Sequence, residues 1–133
     1  MPARFSYARR VQFHETDLAG LVHFSWYLRY MEEAEHALWR SVGMSIAAKD
    51  SEVGFPRVSV ACDYKAPLHF EDEFEVEIRV EAIGRRSINY LCTILRDGQV
   101  VAVGSMTSAC VIRDATGVVR STDIPGRIIT RLE

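Results

Sequence analysis

Residues 24–42, FSWYLRYMEEAEHALWRSV, hold the clearest structural pattern of the chain, because their apolar side chains recur at the spacing of a helix. The apolar arc of that helix carries Phe24, Tyr27, Leu28, Met31, Ala34, Leu38 and Val42. The opposite arc carries Arg29, Glu32, Glu33, His36 and Arg40. The pattern predicts one amphipathic helix of about five turns. It should end near Gly43, because glycine tolerates left-handed backbone angles.

The rest of the chain is predicted to be mostly β. Residues 73–82, EFEVEIRVEA, alternate between charged and apolar side chains, which indicates a strand with one buried and one solvent-facing side. Residues 58–64 show the same alternation, and residues 4–14 are typical of a first strand. Residues 87–95 and 100–112 are apolar on both sides, so we expect them to lie centrally in the sheet.

Tight turns are predicted between the later strands. Asp97-Gly98 indicates a two-residue hairpin, because both central residues of such a turn need positive φ, and residues 84–86 should form another turn. The order of elements indicates an α+β fold, in which one long central helix packs on a mainly antiparallel five-stranded sheet. Residues 124–129 fit either a terminal turn or a short helix.

Composition limits the classes of function. With 133 residues, 48% hydrophobic and 26% charged, the chain fits a single domain over residues 1–133. Its net charge of −2 lacks the basic excess of nucleic-acid-binding domains, so no nucleic-acid partner is expected. The three cysteines form no C-x-x-C pair, and no secretory signal or membrane span of roughly 18 apolar residues is seen. A cytoplasmic location without membrane association is expected.

The loop between the first strand and the helix is where chemistry is expected. A helix N-terminus presents unpaired N–H groups and a partial positive charge, so the amides near Phe24 and Ser25 could stabilise an oxyanion. Asp17 could fold back to act on the same centre as a base or nucleophile. The alternative is that Asp17 stabilises a turn and Ser25 caps the helix.

The histidines in this region raise two further hypotheses, a catalytic role for His23 and a metal site. His23 could titrate near neutrality and assist Asp17, or it could serve only as a structural cap. His14, Glu15, Asp17 and His23 are potential metal ligands, but no His-x-His or His-Glu-x-x-His spacing is present, so no metal site is expected.

Residues 13–34, FHETDLAGLVHFSWYLRYMEEA, resemble the signature of hotdog-fold acyl-CoA thioesterases of the 4-hydroxybenzoyl-CoA thioesterase type. The shared parts are an Asp, a Gly three residues later, an aliphatic residue two after that, and an aromatic-rich helix start. The turn Gly84-Arg-Arg-Ser87, a long final strand and Ile124-Pro125 also lie where the family has similar features. The resemblance therefore extends over nearly the whole chain.

The resemblance implies roles in the reaction for three residues of the loop. Asp17 corresponds to the catalytic carboxylate, which acts as nucleophile on the thioester carbonyl or as base for water. The backbone N–H of Phe24 corresponds to the oxyanion donor. Gly20 would let the chain turn and pass close to the substrate without Cβ crowding.

Substrate contacts are implied for five other residues. Ser25 and Tyr27 lie at the helix start, where Tyr27 fits either pocket lining or helix core. Glu32 would become a pocket wall if a second subunit packs over the polar arc. Arg85 and Arg86 would hold the phosphates of CoA, because Arg pairs bidentately with phosphate, and the alternative is a solvated turn.

Three positions depart from the pattern of many relatives. His23-Phe24 replaces Tyr-His or Asn-Asn, and Phe24 is closer to the branch that acts on aromatic acyl groups. Glu35 replaces an Arg and lies within the apolar arc, so it should have a partner, if need be across a subunit interface, because an unpaired buried carboxylate is costly.

The resulting hypothesis is a homodimeric or homotetrameric acyl-CoA thioesterase that needs neither a metal nor a redox cofactor. An edge strand and a one-sided helix both favour pairing with a second copy. One alternative is a non-catalytic module that binds acyl-CoA or acyl-carrier protein. Another is a hotdog dehydratase, which would need a catalytic His with its own acidic partner, and only His23 could serve.

Overall fold

The fold is built on a five-stranded antiparallel sheet, and the structure, a computed structural model, describes residues 2–133. The strands are β1 (Arg4–Arg10), β2 (Val53–Gly54), β3 (Arg57–Tyr64), β4 (Glu73–Ile83), β5 (Ser87–Arg96), β6 (Gln99–Ala109), β7 (Val111–Arg113) and β8 (Val119–Ser121). The helices are α1 (Ser25–Ser41) and α2 (Gly126–Leu132). The main sheet has the order β1-β4-β5-β6-β3, and β2-β7-β8 form a second, small sheet.

Helix α1 packs on one side of the main sheet, as its periodicity predicts. It has 17 residues, with Phe24 and Val42 at its ends, so the predicted bounds are confirmed to within one residue. Tyr30, Met31, Ala34 and Leu38 are fully buried against the sheet. Neither α1 nor α2, the two helices of the described chain, is long and apolar enough to cross a membrane.

Gly104 of β6 allows α1 to lie close to the sheet. A Cβ built on Gly104 would lie 2.3 Å from Cε and 2.5 Å from Sδ of Met31, and 3.1 Å from the carbonyl oxygen of Ala61. Met31 is fully buried, so its side chain occupies the space that any larger residue at position 104 would need. The absence of a side chain at Gly104 thus sets the distance between helix and sheet.

The central hairpins follow the predicted patterns. Alternate residues of β4 and β5 are buried, and β5 lies at the middle of the sheet. Asp97 and Gly98, with φ of 50° and 76°, form the tight turn between β5 and β6. The turn at residues 84–86 is closed by the amide of Gly84, which donates to the carbonyl of Ser87 at 2.8 Å.

Three predictions about the strands need correction. Residues 4–14 are not one strand: β1 ends at Arg10, and Phe13–Glu15 form a 3-10 turn. Residues 100–112 break at Cys110, because its amide donates to the carbonyl of Arg86 while Val111–Arg113 leave for the second sheet. That second sheet was not predicted. The ambiguous segment near residue 124 leads into helix α2.

The third correction concerns β3, whose alternation predicted one buried side. Val58 and Val60 remain 60% and 45% exposed. The reason is position: β3 is an edge strand of the sheet, and no strand of the described chain lies beyond it. An apolar surface is therefore uncovered along this edge of the single chain.

Glu35 does find a partner, and that partner belongs to the same chain. Its carboxylate accepts hydrogen bonds from both terminal nitrogens of Arg57, at 3.0 and 2.8 Å. Arg57 also donates to the hydroxyl of Ser108 at 2.7 Å. Glu35 is only 1% exposed, so this ion pair connects the middle of α1 to the beginning of β3 within the protein interior.

Candidate active site

The loop between β1 and α1 folds back on itself as a short hairpin. Thr16 and Val22 form a β-bridge, and the amide of Asp17 donates to the carbonyl of Leu21 at 2.8 Å. Gly20 has a φ of 81°, a conformation that favours glycine. The loop is fixed to the segment between β3 and β4, because the amide of Val22 donates to the carbonyl of Leu68 at 2.9 Å.

Asp17 is exposed at the tip of this loop, and its carboxylate is held by one oxygen. Oδ1 accepts hydrogen bonds from the amides of Ala19 at 2.9 Å and Leu21 at 3.2 Å. Within residues 2–133, Oδ2 accepts none. The side chain is thus oriented by its own loop and presents one free oxygen to solvent, as a nucleophile or base requires.

The backbone N–H of Phe24 lies at the N-terminus of α1 and donates to no acceptor in the described chain. It lies directly after His23, whose own amide donates to the carbonyl of Glu15 at 2.9 Å. The carbonyl of Phe24 accepts from the hydroxyl of Tyr64 at 2.9 Å, which ties the edge strand β3 to the helix start. An unpaired amide at the positive end of a helix is suited to stabilise an oxyanion.

His23 and Ser25 bond to each other rather than to Asp17. Nδ1 of His23 lies 2.8 Å from the hydroxyl of Ser25 and accepts from the amide of Ser25 at 3.3 Å. The His23 ring stacks on Phe24 with centroids 4.5 Å apart. In the described chain His23 forms no ion pair with a carboxylate. This geometry is that of a helix cap, the structural alternative for His23.

Three other predicted residues have clear positions. No atom of the described chain lies within 4 Å of a Cβ built on Gly20, so its positive φ, and not crowding by the protein, calls for glycine there. Tyr27 is core: its ring is buried, its hydroxyl accepts from the amide of Leu68 at 3.3 Å, and burial raises its pKa. Glu32 is exposed, 4.0 Å from Arg57.

Arg85 and Arg86 lie far from the loop in a single chain. Both pair with Oδ1 of Asp123, at 3.3 and 2.7 Å. They follow the end of β4, whereas the Asp17 loop contacts the segment just before β4 begins. The strand itself spans about 33 Å at 3.3 Å per residue. One chain therefore carries Asp17, Gly20, His23, Phe24 and Ser25 on one loop and the helix start that follows it, while the two arginines lie beyond the other end of β4.

Glu15 is the residue of this region whose importance the sequence did not reveal. Its carboxylate is fully buried and accepts hydrogen bonds from Arg9, Tyr30 and the amide of Gln12. Burial alone would raise the pKa of Glu15, but these hydrogen bonds outweigh it and the pKa is lowered. The available signal was its place in the motif, two residues before Asp17.

Comparison with known proteins identifies the family. The family model described as the thioesterase-like superfamily matches residues 11–132. A 1,4-dihydroxy-2-naphthoyl-CoA hydrolase of Nostoc punctiforme is 32% identical over 136 residues, covering 97% of this chain and 86% of that protein. The crystal structure of a hypothetical protein from Aquifex aeolicus superposes with a TM-score of 0.90 at 32% identity, covering 97% and 99% of the two chains. A gentisyl-coenzyme A thioesterase superposes with a TM-score of 0.84 at 26% identity, covering 96% and 98%. The chain belongs to the thioesterase-like superfamily, and its α+β architecture is the hotdog fold.

Proposed function

We propose that this protein is an acyl-CoA thioesterase, which hydrolyses an acyl-CoA thioester to the free acid and CoA. The observation that carries the proposal is that one short loop presents both a free carboxylate oxygen, on Asp17, and an unpaired amide, at Phe24. Two relatives are named for hydroxylated aromatic acyl-CoA substrates, so an aromatic acyl group is the first to test here.

The reaction needs few groups. Oδ2 of Asp17 either attacks the thioester carbonyl carbon or takes a proton from the water that attacks it. The carbonyl oxygen gains negative charge as the new C–O bond forms, and the N–H of Phe24 donates to it. The C–S bond then breaks and the electron pair leaves with sulfur as CoA thiolate, a good leaving group because alkyl thiols titrate at about pH 8.5. In the nucleophilic route, water hydrolyses the acyl-Asp17 anhydride and regenerates the carboxylate.

A second copy of the chain is part of this proposal. Arg85 and Arg86 are too distant to meet a substrate held at Asp17 of the same chain, and the edge strand β3 leaves Val58 and Val60 uncovered. A homodimer or homotetramer would cover that edge and could bring the arginines of one copy to the loop of another. A cytoplasmic enzyme fits the three free thiols at Cys62, Cys92 and Cys110.

The experiment is release of free CoA, followed with a thiol reagent. The panel contains benzoyl, hydroxybenzoyl, phenylacetyl, hydroxynaphthoyl and straight-chain acyl-CoA, with Asp17→Asn beside the wild type. The amide oxygen introduced by Asp17→Asn can still accept from the amides of Ala19 and Leu21, so the loop should keep its shape. We expect kcat to fall at least about 100-fold, because the group that replaces the free oxygen no longer carries a negative charge.

The control is Asp50→Asn, which changes an exposed carboxylate outside the loop and should leave kcat unchanged. Unchanged turnover in Asp17→Asn would remove Asp17 from the mechanism. Absence of turnover in the wild type, with measurable acyl-CoA binding, would instead identify a binding module. A dehydratase is disfavoured, because the one candidate base, His23, has no acidic partner in the described chain.

A further inference from the structure

A charged cluster around the buried carboxylate of Glu15 lies between β1, α1 and the loop that carries Asp17. Arg9 of β1 donates to both carboxylate oxygens of Glu15, at 2.9 and 2.5 Å. The hydroxyl of Tyr30 on α1 donates to Glu15 at 2.7 Å, and the guanidinium of Arg9 lies over the Tyr30 ring at 4.9 Å. Glu33, also on α1, accepts from Nε of Arg9 at 2.8 Å. Side chains of three segments thus meet at Glu15.

The backbone of Glu15 connects this cluster to both reactive groups. Its carbonyl accepts the amide of His23 at 2.9 Å, and His23 directly precedes Phe24. On the other side, Thr16 bridges to Val22, and Asp17 follows Thr16. Glu15 and His23 therefore form the base of the short hairpin, with Asp17 on one arm and the Phe24 amide at the end of the other.

The side chain of Glu15 is unusual at such a base. A buried carboxylate is strongly disfavoured unless it is paired, so an apolar residue would satisfy packing alone at lower cost. Here the hydrogen bonds come from three parts of the chain: the Arg9 side chain on β1, the Tyr30 hydroxyl on α1 and the amide of Gln12. A carboxylate that accepts hydrogen bonds from several sides fixes the orientation of the backbone at Glu15 as well as its position in the interior.

We propose that Glu15 is a positioning residue, which holds the carboxylate of Asp17 and the N–H of Phe24 in the relative geometry that thioester hydrolysis needs. This inference rests on the proposed thioesterase activity. Glu15 is fully buried, so its side chain is not accessible to a substrate and would act only through the hairpin base. A misplacement of about 1 Å between reacting groups can lower a rate about 100-fold, which is large enough to be measured.

The test compares Glu15→Gln with Glu33→Gln. The side chain introduced by Glu15→Gln keeps the shape and can still accept from Tyr30, but it loses the paired contact with both terminal nitrogens of Arg9. Glu33→Gln removes the other carboxylate partner of the same arginine without touching the loop. We expect kcat of Glu15→Gln to fall roughly 10- to 100-fold with KM changed less than about threefold. Glu33→Gln should keep kcat within about twofold of the wild type. Tyr30→Phe, which removes one hydroxyl from Glu15, should show a smaller fall in kcat than Glu15→Gln.

Two results would overturn the proposal. One is an unchanged kcat in folded Glu15→Gln, and the other is an equal fall in Glu33→Gln, which would assign the effect to the charge of Arg9. Amide hydrogen exchange gives a readout without substrate: residues 16–24 should exchange faster in Glu15→Gln, while β5 and β6 should not change. If the wild type hydrolyses no thioester, the proposed function fails. Amide hydrogen exchange then remains as the test of the positioning role, and exchange at residues 16–24 that is unaltered in Glu15→Gln rejects that role.

Discussion

Replacing Gly104 with alanine is expected to push α1 away from the sheet. The added Cβ would lie 2.3 Å from Cε of Met31, whereas ordinary contacts begin at 3.4 Å, so these atoms must separate by about 1 Å. Met31 is flexible, but it is fully buried and has little free space to move into. The carbonyl oxygen of Ala61, at 3.1 Å, belongs to the neighbouring strand and yields less readily.

The expected loss of stability is about 1–3 kcal/mol, the usual range for overpacking a core. The entropy of unfolding of 133 residues is about 0.28 kcal/mol per kelvin, so the melting temperature should fall by about 4–11 °C. Urea denaturation and calorimetry measure both quantities. Gly126→Ala is the matched control: nothing lies within 4 Å of its Cβ and it begins α2, so its stability should be unchanged or slightly higher.

A melting temperature of Gly104→Ala equal to that of the wild type would show that α1 and the sheet accommodate the added Cβ without strain. A double variant identifies the cause of any loss. If the clash with Met31 is responsible, Met31→Ala should lower stability by at least about 1 kcal/mol less in the Gly104→Ala background than in the wild type. If the stability losses of the two single variants simply add in the double variant, the strain lies elsewhere than at Met31.

Two further predictions concern buried charges. Arg57→Met keeps the aliphatic stem but removes both hydrogen bonds from Arg57 to the buried carboxylate of Glu35. Urea denaturation should therefore show that the free energy of unfolding falls by about 3–5 kcal/mol. A fall below about 1 kcal/mol would contradict the role of this pair. Burial tends to raise the pKa of Glu15, but hydrogen bonds from Arg9, Gln12 and Tyr30 lower it below its ordinary value of 4.5. The contribution of Glu15 to the free energy of unfolding is therefore complete above that value, and it is lost as the pH falls through the lower pKa of the folded state. The free energy of unfolding of Glu15→Gln should fall less steeply between about pH 5 and 3 than that of the wild type, and equal slopes would contradict this.

Local patterns in the sequence predicted the elements whose structure depends on local interactions. Helix α1 followed from the spacing of its apolar residues, and the hairpin at Asp97-Gly98 followed from the need for positive φ. The position of a strand within the sheet is not a local property. The alternation of β3 therefore gave no sign that Val58 and Val60 would lie at an uncovered edge.

The candidate site was predictable to the same extent. Asp17 and Phe24 lie in one continuous motif, so their presence on the same loop could be expected. Glu15 and Glu35 could not be assigned their partners, because Arg9 and Arg57 lie six and 22 residues away and many charged residues compete at such separations. The distance of Arg85 and Arg86 from Asp17 follows from the length and direction of β4, which only the assembled sheet defines.

The shared carboxylate at Arg85 and Arg86 has a consequence for any anion that binds there. Both guanidinium groups already hold Oδ1 of Asp123, and the hydrogen bond from Arg86 lowers the pKa of that carboxyl, so it stays ionised at neutral pH. An incoming phosphate must displace a tethered counterion that belongs to the protein itself. Binding at this turn is thus an exchange between two anions, one of them at a fixed local concentration that added salt does not alter. Affinity there should decline less steeply with ionic strength than it would at two unpaired arginines.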